Sequence, residues 1–60
     1  MKRKEFIRFL IKNGCYLERH GKKHDLYLNP VTGKKSAVPR HSEIKDSLCR
    51  LIKNQLKIKE

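Results

Sequence analysis

The chemistry in this chain is concentrated around one imidazole. His24 follows Gly21-Lys22-Lys23 and opens the run His24-Asp25-Leu26-Tyr27. Imidazoles ordinarily titrate near neutral pH, which suits them to giving and taking protons there. RNA carries its own nucleophile, the ribose 2′-hydroxyl. Cutting it requires removal of that proton, stabilisation of the extra negative charge on the phosphoryl group, and protonation of the 5′ leaving oxygen. Lysines stabilise that charge electrostatically. His24 as general base or acid, with Lys22 and Lys23 gripping phosphate, is therefore a minimal metal-free set for RNA cleavage.

The neighbouring candidates divide less cleanly. His20 lies four residues before His24, a spacing that invites a metal. Helical i, i+4 geometry does not apply across a turn, however, and no cysteine or pair of carboxylates completes a set, so neither a metal nor any other cofactor is expected. His41 follows Pro39-Arg40 and either approaches the RNA path or only flanks a helix start and shapes its loop. Arg40 is suited to a bidentate phosphate contact, or is a plain surface arginine. Tyr27 is a candidate to stack on a base or donate a proton. By strand alternation it falls off the Leu26/Leu28 side and need not be core. Asp25 points to the other side of the strand from His24 and is a doubtful orienting partner for it. The general acid is not identifiable.

Charge frames these candidates. Lys and Arg total 16 against 6 acidic residues, a net charge of +10 over 60 residues. Such density favours a polyanionic partner, most commonly a phosphate backbone. No apolar run approaches the roughly 20 residues of a membrane helix. Met1-Lys2-Arg3-Lys4 is not followed by a signal-peptide apolar region. The chain reads as a cytoplasmic protein without a membrane partner, a single domain over residues 1–60. Cys15 and Cys49 lack C-x-x-C spacing and read as small apolar residues kept reduced. A domain this short buries only about 60% of its unfolded surface, so its stability is marginal.

The elements that must position these groups follow from periodicity. Residues 2–13 read as a helix, with Phe6, Ile7, Leu10 and Ile11 as its apolar stripe, widened by Phe9. Its start carries no capping residue and is expected to fray, while Gly14 stops its end. Cys15 to Arg19 alternate as a strand with Cys15 and Leu17 inward. A glycine turn leads to a second strand, residues 24–29, with Leu26 and Leu28 on one side and Asp25 and Tyr27 on the other. Asn29-Pro30-Val31-Thr32-Gly33 is a hairpin loop. The third strand, Lys34 to Val38, is anchored by Val38. A second amphipathic helix uses Ile44, Leu48, Leu51, Ile52 and Leu56, capped by Ser42 or by Asp46, and Lys57 to Glu60 fray. The predicted class is α+β: αβββα, a three-stranded antiparallel sheet with both helices on its one apolar face.

That order is the order of the double-stranded RNA-binding fold, which does not by itself fix function. Gly21-Lys22-Lys23-His24-Asp25-Leu26-Tyr27, then Asn29-Pro30-Val31-Thr32-Gly33-Lys34, then Val38-Pro39-Arg40-His41-Ser42-Glu43-Ile44 resemble the HicA (YcfA-like) family. The resemblance implies the toxin of a type II toxin–antitoxin system, a metal-independent endoribonuclease that cleaves mRNA and arrests translation. It also implies a HicB-type antitoxin as partner, and His24 as the matching catalytic histidine. Many members read Gly-Ser-His-His where this chain has Gly21-Lys22-Lys23-His24, so lysines stand in for the intervening Ser and His. Two other classes compete: a non-catalytic RNA-binding module of the same fold, and an interaction protein whose basic face binds an acidic partner.

Overall fold

The computed structural model describes residues 1–58. Helix α1 (Arg3–Lys12), strands β1 (Tyr16–His20), β2 (His24–Asn29) and β3 (Lys34–Pro39), and helix α2 (Asp46–Leu56) follow one another in that order. The strands form one antiparallel sheet with β2 in the middle. This is the αβββα architecture that the sequence predicts, and both helices pack on one face. No helix among the described residues is long and apolar enough to cross a membrane.

The core lies between that face and the helices. Phe6 and Leu10 of α1, Val38 of β3, Ile44, and Cys49, Ile52 and Leu56 of α2 are buried together with Cys15 and Tyr27. Phe6 stacks on Phe9 with ring centroids 6.3 Å apart, and the Lys53 ammonium sits 4.6 Å from the centre of the Phe9 ring. The helical stripes are narrower than predicted: Ile11 and Leu51 are exposed, and Cys49 takes the core position on α2. Both cysteines are buried free thiols, and burial pushes both thiols up from their ordinary pKa.

The alternation along β2 is correct in period but inverted in sense. Asp25, Tyr27 and Asn29 face the helices and are buried, whereas Leu26 and Leu28 lie half-buried on the opposite face. Polar groups enter the interior because each finds a partner. Asn29 Nδ2 donates to the Leu56 carbonyl at 2.8 Å, and Ser36 Oγ donates to Gln55 Oε1 at 2.6 Å. Asp25 meets Arg3 at 2.7 Å. Leu17, predicted inward, pairs with Tyr27 on the face under the helices, but on edge strand β1, beside a register shift between Leu17 and Arg19, it keeps 37% of its surface exposed.

The ends are held rather than frayed. Arg3 N–H donates to Ser42 O at 2.9 Å and Ile44 N–H to Met1 O at 2.8 Å. The residues before α1 thus pair with those before α2 around a Lys2–Glu43 bridge. This pairing replaces the side-chain caps: the residues at the two N-caps are Lys2 and Lys45, neither capping by its side chain. Hence neither Ser42 nor Asp46 is the predicted cap. Both helices finish with paired backbone bonds, from Gly14 and Cys15 back to Ile11 and Leu10, and from Lys57 and Ile58 back to Asn54 and Lys53. Gly14 takes φ +87°, and Lys57 the left-handed φ +57° without a glycine. Lys57 and Ile58 are therefore ordered against the fold, contrary to the expected fraying, while Lys59 and Glu60 lie outside the described residues.

Candidate active site

The β1–β2 turn is pinned from two directions. Gly21 N–H donates to the His24 carbonyl at 2.7 Å. A Cβ on Gly21 would stand 2.7 Å from that same oxygen, closer than any side chain tolerates, so the close approach demands glycine. From outside, Arg40 donates through one terminal nitrogen to the Gly21 carbonyl at 2.6 Å and through the other to the Lys22 carbonyl at 3.4 Å. Its Nε reaches Asp25 Oδ1 at 2.9 Å. Residue 40, just past the end of β3, therefore buckles the turn that carries Lys22 and Lys23.

Asp25 is the anchor of that buckle. Its Oδ2 accepts from Arg3 at 2.7 Å, and Arg3 Nε donates to the Pro39 carbonyl at 2.8 Å. Its Oδ1 also accepts from His20 Nδ1 at 2.8 Å. His20 and Asp25 are direct cross-strand partners. Hydrogen bonds from His20, then from Arg40, pull the Asp25 carboxyl down to about 2. The ionised carboxylate only accepts, so Nδ1 of His20 carries the hydrogen. One buried acid thus ties the start of α1, the end of β1, the turn and the exit of β3.

His24 lies on the other side of the sheet. It is exposed, and it lines a shallow open groove with Arg19, Lys22, Lys23, Leu26 and Ala37. Arg19 pairs with Leu26, and Leu26 with Ala37, across the three strands, so these side chains share one face. Further along that face Tyr16 pairs with Leu28, and Leu28 with Lys35. Lys35 reaches Glu18 at 2.9 Å. The groove offers an imidazole, two turn lysines and an arginine to an anionic strand, with Ala37 and half-buried Leu26 as its floor.

The predicted residues are distributed unevenly over this arrangement. His24, Lys22 and Lys23 come together in the groove. Tyr27 does not: it is 6% exposed, within the core under the helices, where burial pushes its phenol up. Its ring is closed to a base, and the expectation that it need not be core is corrected. The reason is the inverted facing of β2. Arg40 is engaged with Asp25 and the turn carbonyls. His41 is exposed in the bend after β3 and does not line the groove. His20 bonds Asp25 rather than joining a metal set; among the described residues no three His, Cys, Asp or Glu side chains cluster as metal ligands. Sequence reasoning missed Arg19, which the β1 irregularity brings opposite Leu26, and Arg3, whose partner Asp25 lies 22 residues away in the chain. The pairing of His20 with Asp25 was out of reach, because a turn from Gly21 to Lys23 would set His20 opposite His24, whereas the observed register sets it opposite Asp25.

A family model described as the HicA toxin of bacterial toxin–antitoxin systems matches residues 3–58, which includes both helices, all three strands and the His24 groove. No curated protein sequence matches the chain, and no solved structure matches it. With the match running through nearly all of the 60 residues, the chain belongs to the HicA toxin family of bacterial toxin–antitoxin systems.

Proposed function

We propose that this chain is a metal-independent endoribonuclease that cleaves mRNA and thereby inhibits translation, with His24 as its general acid/base. The observation that carries the reading is the placement of His24: exposed in a groove shared with Lys22, Lys23 and Arg19, on a rigid strand behind a pinned turn. In the reaction the 2′-hydroxyl loses its proton to a base and attacks the adjacent phosphorus. The P–O5′ bond breaks, and the leaving 5′ oxygen takes up a proton. The products are a 2′,3′-cyclic phosphate and a 5′-hydroxyl. His24 acts at one of these proton transfers, while Lys22, Lys23 and Arg19 offset the charge that builds on the phosphoryl oxygens. Preorganised cations are worth most where they need not move during the reaction, and the turn is held by backbone and Arg40 bonds.

A HicB-type antitoxin is the proposed partner. An acidic surface laid over the His24 hairpin would neutralise the lysines and exclude RNA in one step. The second reading, an RNA-binding module without catalysis, is favoured by one feature: among the described residues, His24 is the only imidazole lining the groove. Purified protein incubated with single-stranded RNA in excess EDTA separates the two. The enzyme reading expects fragments with cyclic-phosphate and 5′-hydroxyl ends, lost in His24→Ala. RNA retention without cleavage by the wild-type chain would favour the module.

A further inference from the structure

The open face of the sheet extends well beyond the turn, and its far end carries an aromatic ring. Tyr16 is 49% exposed, at the start of β1, and pairs across to Leu28. Leu28 and Leu26 are half-buried on this face, which neither helix covers, and Arg19 and Lys35 stand beside them. From His24 to Leu28 is four strand steps, about 13 Å along β2. An apolar floor with a ring at one end, an imidazole at the other, Arg19 between them and Lys35, ion-paired with Glu18, across Leu28 from the ring has the composition of a single-strand nucleic-acid track.

We propose that the open sheet face binds unpaired RNA, with a base stacked on Tyr16 while the phosphate to be cut lies at His24. The proposal rests on the ribonuclease reading for the second half of that sentence and deepens it by naming the substrate class. In a duplex, base faces are stacked on one another and closed to a side-chain ring, whereas an unpaired strand can splay a base onto an aromatic. The fold order is that of the double-stranded RNA-binding fold and does not fix the substrate; the position of His24 on the uncovered sheet face, with Tyr16 along it, points to a single strand. The net charge of +10 makes a polyanion the fitting occupant. Because every base has a π-face, Tyr16 adds affinity with little sequence preference. The base it holds lies about 13 Å from the cut, so it belongs to a nucleotide other than the one supplying the 2′-hydroxyl.

The test measures binding of labelled RNA by fluorescence anisotropy in the His24→Ala background, which separates recognition from cleavage. An unstructured oligonucleotide is compared with a perfectly paired duplex of the same length. The proposal expects the single strand to bind more tightly than the duplex. Tyr16→Ala weakens single-strand binding about tenfold or more, Tyr16→Ile does the same with its strand propensity intact, and Tyr16→Phe retains binding. The slope of log affinity against log salt stays unchanged in the Tyr16 variants, since stacking releases no counterions. Equal affinity for duplex and single strand would overturn it. So would unchanged binding in both Tyr16→Ala and Tyr16→Ile, or a concentration-dependent dimer that covers the face and excludes RNA. Failure of the wild-type chain to cut RNA that it binds through Tyr16 would instead count against the ribonuclease reading alone.

Discussion

The two faces of one three-stranded sheet are built on opposite rules. The face under the helices holds Asp25, Tyr27, Asn29, Ser36 and Val38, three of them polar, all buried. The open face holds Tyr16, Leu26, Leu28 and Ala37 alongside cations. An economical fold would place the leucines inside. Here the inner polar groups are hydrogen-bonded into structural ties, and apolar side chains are left at the surface, where they are available to a partner. The covered face confers rigidity; the open face offers a site.

The largest expected effect falls on the covered face. Phe6 is fully buried at its centre, so Phe6→Ala should destabilise by about 3–5 kcal/mol, a large share of a small domain's total stability. Urea titration checks this, and Leu28→Ser on the open face should shift the midpoint far less. Comparable losses at both positions would break the distinction between the faces.

Next comes the turn between them. Gly21→Ala places a methyl 2.7 Å from the His24 carbonyl oxygen, so the turn must open and carry His24 out of position. RNA cleavage should fall about 100-fold, as a 1 Å misplacement can cause, with the urea midpoint moving little. Single-turnover kinetics beside urea titration would show whether the pinned turn matters to chemistry or only to folding.

The covered face should also betray its buried acid. Asp25 is held down at about 2, against an unfolded value near 3.9. Its folded carboxylate therefore contributes stability that is complete above about pH 4 and is lost as pH falls toward 2. Stability measured across that window should decline, and in Asp25→Asn this part of the decline should vanish while stability at neutral pH drops.

How much of this was legible before folding differs from residue to residue. Helical and strand periods placed all five elements, because an apolar stripe or an alternation is a property of neighbours in the chain. His24, its lysines and the need for Gly21 lay within one local stretch. The facing of β2 was not legible. Alternation defines two faces but not which one the helices cover, and that choice depended on Arg3 and Arg40, 22 and 15 residues from Asp25. Tyr27 leaves its expected surroundings for the core for this reason. The pairing of residues 1–3 with 42–44 was equally hidden, since it joins backbone groups that bear no sequence signature.

The smallest effect belongs to the turn lysines. Lys22→Ala and Lys23→Ala should each weaken RNA binding and reduce the salt slope by about 0.7, without changing which RNA is preferred. Unaltered slopes would place the phosphates elsewhere.

The two faces can be set against each other through their histidines. His24 lines the open groove, while His20 bonds Asp25 toward the helices. The most direct measurement is the single-turnover cleavage rate of RNA in EDTA for the wild-type chain, His24→Ala and His20→Ala. The account predicts a loss of about 100-fold or more for His24→Ala and near wild-type cleavage for His20→Ala; full activity in His24→Ala, or its loss only in His20→Ala, would contradict it.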